Sequence, residues 1–118
     1  MMKAYSRGRL LWNRIAIADN PFTRLKGLMG RRELPEGEGL LITPCNQVHT
    51  FHMRFDLDIL FLTKDMRVAH IETLRPGKVG PRIREAACIL EVAAGSAKRL
   101  NVVPGDAITI EVYGKKEV

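Results

Sequence analysis

Four short runs rich in Val, Ile, Thr and Phe lie within residues 39–74, GLLITPCNQVHTFHMRFDLDILFLTKDMRVAHIETL. Turn-forming residues separate the runs, and short runs of this composition bounded by turns are typical of β-strands. Residues 64–67 fit a hairpin turn between the last two runs. This stretch therefore predicts a fold built mainly from short strands.

The flanking sequence adds further strands. In residues 10–18 and 108–112, large apolar side chains alternate with side chains that are smaller or more polar, as in a β-strand. Residues 88–92 form another short apolar run that is typical of a strand. Residues 74–85 contain two Pro and two Gly, so they are predicted to form a long loop with little regular structure.

Helical content is predicted to be small. Asp19-Asn20-Pro21 place capping side chains before a Pro, which indicates a helix start, and the helical spacing of apolar residues ends at Gly30. Residues 95–100 fit one or two helical turns. The predicted fold class is mainly β with minor α, a small jelly-roll-like β-barrel or sandwich with one short helix after the first strand.

Length and composition describe an ordinary globular chain. With 118 residues, 46% hydrophobic and 27% charged, it is expected to form one domain over residues 1–118 with its core at about 10–113. Apolar stretches such as residues 59–62 are far shorter than the roughly 18 residues of a membrane span, and the N-terminus lacks the apolar region of a signal peptide. We expect a cytoplasmic protein with no membrane partner. Cys45 and Cys88 form no CxxC motif, and the sequence leaves open a disulfide between them; reduced thiols are the expectation for a cytoplasmic protein.

Positive charge is moderate and scattered. The 19 Lys and Arg exceed the 13 Asp and Glu, for a net charge of +6. Two groupings stand out, Arg24 to Arg32 and Arg75 to Arg84, and they make nucleic acid or a protein partner one hypothesis. No phosphate-binding glycine loop and no alternation of aromatic and basic residues supports nucleotide chemistry or base stacking.

The densest group of ionisable residues lies in residues 44–62, PCNQVHTFHMRFDLDILFL. If residues 48–55 form a strand, His49 and Met53 share an apolar face, whereas His52 and Arg54 share the opposite polar face. Two of the three His residues and an Arg therefore fall within six positions in a hydrophobic setting, which makes this segment the candidate site.

Asp58 interrupts an otherwise apolar strand, where a carboxylate is costly unless it is paired or hydrogen-bonded. Arg54 is the nearest partner along the sequence, which would give a charged pair lining a pocket. The alternative is a structural Asp that caps backbone groups at a corner or a bulge. The sequence alone leaves both interpretations open.

A metal site and a Cys–His nucleophile are both disfavoured by the predicted strand. His52 would point away from Cys45 and His49, so three ligands would not converge. Cys45 and His49 would be about 13 Å apart in an extended chain, far beyond hydrogen-bond distance, unless residues 44–46 form a turn. We predict no metal and no cofactor.

Several separate blocks together resemble a known family. They are RLKGLMGR at residues 24–31, residues 37–41, VHTFHMRFDLDILFL at residues 48–62, ILEVAAG at residues 89–95, and Gly105-Asp106. In this order they resemble the uncharacterised family called domain of unknown function 192, over residues 15–112. The resemblance implies a compact, mainly β, jelly-roll-like fold with no established activity. Met53, Arg54 and Asp58 keep the family pattern, whereas His52 stands where Gly or Trp is usual and Asp56 where Pro is usual.

Three hypotheses for function follow from these residues. The leading one is a binding or accessory module whose pocket, formed by His49, His52, Arg54 and Asp58 with Glu91 from a neighbouring strand, holds a small anionic ligand through Arg54. The second is an enzyme that uses His49 or His52 as a general base beside Asp58. The third is nucleic-acid or protein binding through the Arg-rich loops.

Overall fold

The computed structural model describes residues 1–113 of the chain. Within this part the elements are β1 (Met2–Ser6), β2 (Arg9–Ala18), α1 (Pro21–Lys26), β3 (Glu38–Ile42), β4 (Leu57–Leu62), β5 (Val68–Leu74), β6 (Cys88–Ala93), α2 (Ser96–Arg99) and β7 (Thr109–Val112). The predicted mainly β class with a minor helical share is confirmed. Residues 114–118 of the expected domain lie outside the described residues. No helix among residues 1–113 has the length and apolar character needed to cross a membrane.

All seven strands belong to one mixed sheet, in the order β5-β4-β6-β3-β2-β1-β7. β2 and β3 are parallel, and every other neighbouring pair is antiparallel. The sheet is not closed into a barrel, so the expected barrel is wrong, and the jelly-roll-like arrangement is not confirmed. Local patterns identify strands but not their neighbours, because pairing depends on contacts between residues far apart in sequence.

The first strand is the element that the sequence patterns missed. Its sequence, MKAYS, mixes small, charged and aromatic residues and carries little intrinsic strand preference. β1 forms because β2 and β7 pair with it on both sides, and Met2 and Ala4 are buried in the core. Consequently α1 follows the second strand and not the first, although it begins where Asp19-Asn20-Pro21 predicted.

Residues 48–55 do not form the predicted strand. The buried Thr50 side chain donates to the Arg75 carbonyl at 2.6 Å and accepts from the Lys78 N–H at 2.8 Å, which fixes this segment to the following loop. The chain then turns, with the Met53 N–H donating to the Thr50 carbonyl at 3.2 Å and His52 at φ +64°. These bonds satisfy the backbone locally, so alternation of faces does not apply here.

The two faces of the sheet carry separate apolar clusters. One contains Trp12, Ile15, Leu60, Leu90 and Val92 together with Ala97 of α2. The other contains Leu40, Ile42, Ile59, Phe61 and Ile89, and it is covered by Leu28, Leu34, Val48, Met53 and Ala86 from the long loops. The loops therefore lie over one face of the sheet, which we call the loop face, while α2 lies over the other.

Candidate functional site

A pocket opens on the loop face, between α1 and residues 44–53. Its volume is about 320 Å³, at the lower end of the roughly 300–1,000 Å³ typical of small-molecule sites. The polar side chains of its wall are Arg24, Lys26, Cys45, Gln47, His49 and Glu91, and the apolar ones are Pro21, Leu25, Leu28, Met29, Ile42, Val48 and Met53.

Glu91 forms a buried acidic group in this wall. It is only 4% exposed and lies on β6, directly opposite Leu40 on one neighbouring strand and Ile59 on the other. Burial among these apolar side chains raises the pKa of Glu91 from 4.5 to about 7. Near neutral pH its carboxyl group is therefore partly protonated, and the protonated form can donate a hydrogen bond.

The end of α1 leaves the Glu91 carboxyl open to the pocket. Asn20 caps the helix by accepting from the Thr23 N–H at 2.9 Å, and Gly27 follows the last helical residue with φ +48°. A side chain at Gly27 would place its Cβ 4.0 Å from Glu91 Oε1. Glycine at this position thus permits the backbone conformation and keeps the carboxyl accessible from the pocket.

His49 presents a donor to the same pocket. Its Nδ1 accepts a hydrogen bond from the Phe51 N–H at 3.1 Å, and its ring stacks on the Phe51 ring at a centroid distance of 4.9 Å. In a neutral imidazole whose Nδ1 is an acceptor, the proton is on Nε2. This tautomer makes His49 a hydrogen-bond donor at Nε2 and a poor metal ligand there.

Arg24 and Cys45 complete the polar wall. Arg24 Nη1 donates to the Pro44 carbonyl at 3.0 Å. This hydrogen bond joins α1 to the segment that carries Cys45. The Cys45 thiol donates to the Gln47 carbonyl at 3.1 Å, and burial raises the pKa of this thiol. Burial thus keeps Cys45 as a thiol near neutral pH, so it is a weak nucleophile.

The structure divides the six site residues predicted from the sequence. His49, Met53 and Glu91 line one pocket, because the turn at residues 50–53 brings His49 and Met53 to the same side. His52 and Arg54 are exposed and do not line this pocket. The family resemblance leads one to expect Gly at position 52. The left-handed backbone of His52 explains this expectation, because Gly adopts a positive φ without strain.

Asp58 lies on the other face of the sheet. It sits on β4 opposite Val92 of β6, whereas Glu91 sits opposite Ile59, so the two carboxyl groups point to opposite faces. Asp58 Oδ2 accepts from the N–H groups of Gly95 and Ala97 at 3.0 and 3.1 Å, and Oδ1 accepts from the Thr73 hydroxyl at 2.7 Å.

The predicted Arg54–Asp58 pair is therefore wrong, because backbone and hydroxyl groups fill the Asp58 oxygens. Asp58 is instead a structural cap, which was the alternative interpretation of the sequence. Gly95, the residue before α2, has no side chain to cap the helix, and the Asp58 carboxylate accepts from its first N–H groups in its place. The proposed general base of His49 or His52 beside Asp58 is likewise not assembled, since His49 faces the loop-face pocket.

Sequence reasoning did not place Arg24 or Gly27 in a site. Arg24 was predicted only as part of a basic surface grouping, and the hydrogen bond that brings it beside Cys45 joins positions 20 residues apart. Among residues 1–113, no group of three or more His, Cys, Asp or Glu side chains could hold a metal ion. The two cysteines are unpaired in the structure.

The chain is a small protein in which loops cover one face of a mixed sheet. These loops border an open pocket whose wall has both polar and apolar side chains. The profile of the family named DUF192, described as "Uncharacterized ACR", matches residues 2–110. The chain belongs to this family.

Relatives and solved structures agree with this assignment. A UPF0127 protein of Pyrococcus abyssi is 30% identical over 80% of this chain and 84% of its own length, and one of Thermococcus gammatolerans is 27% identical over 95% and 76%. A protein of unknown function from Novosphingobium aromaticivorans superposes with a TM-score of 0.78 at 26% identity, covering 92% of this chain and 82% of that one. A chain from Sinorhizobium meliloti described as a putative transcription regulator gives a TM-score of 0.71 at 26% identity, covering 92% and 90%.

Proposed function

We propose that this protein is a binding module whose loop-face pocket holds a small anion with an apolar body, such as a short-chain carboxylate. The observation that carries the proposal is the buried, protonatable Glu91 at the wall of a cavity that also contains Arg24 and His49. This keeps the anionic ligand, His49 and Glu91 of the sequence-based hypothesis, replaces Arg54 with Arg24, and leaves out His52 and Asp58.

The polar groups of the pocket are mainly donors. Arg24 carries a positive guanidinium, His49 carries a proton on Nε2, and Glu91 donates while it remains protonated. A carboxylate has two oxygens that accept several hydrogen bonds, and a bond between a charged and a neutral partner is stronger than one between two neutral partners. An anionic head group therefore fits these donors better than a cation or a neutral amine does.

The apolar wall limits the rest of the ligand. Leu28, Ile42, Val48 and Met53 surround the polar groups, and the cavity of about 320 Å³ admits only a small molecule. A short alkyl chain gains roughly 0.8 kcal/mol for each CH₂ that leaves water. Affinity should thus rise with chain length until the cavity is filled.

The test is a titration of ¹⁵N-labelled protein with acetate, butyrate and hexanoate, and with inorganic phosphate as a probe without an apolar body. We expect saturable amide shifts at residues 24–29, 45–53 and 91, with hexanoate binding more tightly than acetate. Binding should be stronger at about pH 6 than at about pH 8.5, because ionised Glu91 repels an anion above its pKa.

Two Arg variants separate this site from the one predicted by sequence. Arg24→Gln should lose most of the binding, whereas Arg54→Gln, which changes an exposed side chain outside the pocket, should retain it. Glu91→Gln should bind at both pH values, because its amide remains a donor. Equal binding by the Arg24→Gln variant and the wild type, or shifts centred on Arg54, would refute the assignment.

A further inference from the structure

We propose that the loop surface around the pocket docks on an anionic lipid bilayer. The loop surface is defined as residues 20–32, 48–55 and 75–84. This proposal concerns the exterior of the protein and does not depend on a ligand in the pocket.

Backbone hydrogen bonds join the three segments into one surface. The Gly30 N–H donates to the His52 carbonyl at 3.1 Å, and the Thr50 N–H donates to the Lys78 carbonyl at 2.7 Å. The two Arg-rich groupings, at residues 24–32 and 75–84, thus border the same central segment.

The charge within these three segments is positive, and exposed acidic residues lie directly beside their ends: Asp19, Glu33, Asp56 and Glu85. The three segments contain nine Lys and Arg residues and no Asp or Glu. Among residues 1–113, only Arg31 of these nine forms an ion pair, with Glu38 at 3.1 Å. Lys and Arg residues close to a membrane are attracted by its anionic lipids, by about 1 kcal/mol for each residue near the surface.

Exposed apolar side chains project from the same segments. Phe22 is 73% exposed, Leu25 67%, Val79 62% and Phe51 44%. Phe22 and Leu25 share one face of α1, and none of the residues of this helix is buried. Phe51 stacks on His49, whose backbone pairs with Val79, and both His49 and Leu25 line the pocket mouth.

This combination favours a bilayer over the other partners that a basic surface can bind. A second copy of the chain would bring like charges together at this face. A nucleic acid would satisfy the basic residues, but aliphatic side chains such as Leu25 and Val79 gain little from phosphates or base edges. Both kinds of group gain at a membrane interface, where cations contact head groups and apolar side chains reach the acyl boundary.

Vesicle co-sedimentation of the full chain tests the proposal. Vesicles of phosphatidylcholine with about 30% phosphatidylserine should bind the protein, and pure phosphatidylcholine should not. Raising the salt from about 0.1 M to about 0.5 M should release most of the bound protein.

Paired variants distinguish this surface from general positive charge. Lys26→Glu combined with Lys78→Glu should lower the vesicle partition coefficient at least about tenfold, and Phe22→Ser combined with Leu25→Ser about tenfold. The matched controls are Lys64→Glu combined with Lys98→Glu, and Val103→Ser combined with Val112→Ser; they change exposed residues outside the loop surface and should have little effect.

Emission of the single, buried Trp12 confirms that each variant is folded. The proposal is wrong if anionic vesicles do not bind the wild type, or if the control variants lose as much binding as the loop variants. It is also wrong if short oligonucleotides bind the wild type and vesicles do not. In that case the Phe22→Ser, Leu25→Ser double variant would still bind the oligonucleotides. The last result would assign the surface to nucleic acid.

Discussion

Replacing Glu91 with glutamine should raise the stability of the protein at alkaline pH and leave it nearly unchanged in acid. Glutamine has almost the same shape as protonated glutamic acid, but it has no charged form. The substitution therefore removes the cost of ionising a carboxyl group between Leu40 and Ile59 without opening a cavity. Its effect on stability isolates this one titration.

The magnitude follows from the pKa of Glu91. The carboxyl ionises near pH 4.5 in the unfolded chain and near pH 7 in the folded protein. Between these values the folded state binds more protons than the unfolded state, so stability falls as pH rises and levels off above about pH 7. At about 1.4 kcal/mol per pKa unit, the full loss is about 3 kcal/mol.

Urea denaturation followed by Trp12 emission measures this effect. We expect the difference between Glu91→Gln and wild type to grow from near zero at about pH 4.5 to about 3 kcal/mol at about pH 8. Groups that do not interact with Glu91 cancel in this difference. The pKa of the Cys45 thiol is raised by burial and also by the charge of Glu91, so this thiol remains protonated over the same pH range. Glu33→Gln, at an exposed position, is the control and should show no such trend. The reasoning is wrong if the free energies of unfolding of Glu91→Gln and wild type differ by the same amount at every pH.

Asp58→Ala should destabilise the fold by about 3 kcal/mol, because it leaves the two buried N–H groups at the start of α2 without an acceptor; a loss below about 1 kcal/mol in urea denaturation would contradict its role as a cap. Gly27→Val should lower hexanoate affinity at least about tenfold, since the side chain would lie beside the Glu91 carboxyl. Gly30→Val shares the positive φ but meets open space, so an equal loss of affinity there would point to strain alone. Burial raises the pKa of the Cys45 thiol, so iodoacetamide at neutral pH should alkylate it at least about fivefold more slowly than free cysteine, as measured by peptide mass spectrometry; reaction at the rate of free cysteine would show that the thiol is not shielded.

Most strands could be predicted from the sequence, because their signals are local. Alternation and apolar runs identified β2 and the strands from β3 to β7, and the capping residues before Pro21 identified the start of α1. The pattern failed for β1, whose stability comes from its two neighbours in the sheet. It also failed for residues 48–55, where the Thr50 side chain binds the backbone of a distant loop.

The candidate site was predicted only in part. His49, Met53 and Glu91 line one pocket, but His49 and Met53 reach it through a turn and not through the regular strand that was expected. Arg54 and Asp58 were grouped with them because they are close in sequence. Asp58 points to the other face of the sheet, because side chains alternate along β4. Arg54 is exposed in the irregular segment that precedes this strand.

The sequence by itself determined the family, the β class, most strand positions and the net charge of +6. These depend on residue types and short-range spacing, which are present in any linear chain. Only the tertiary structure decided that Asp58 caps α2 while Glu91 faces a pocket, and that the segments carrying the two basic groupings both contact residues 48–55. Those results depend on strand order and on hydrogen bonds between residues tens of positions apart, and the energy of such contacts is not encoded in any local pattern.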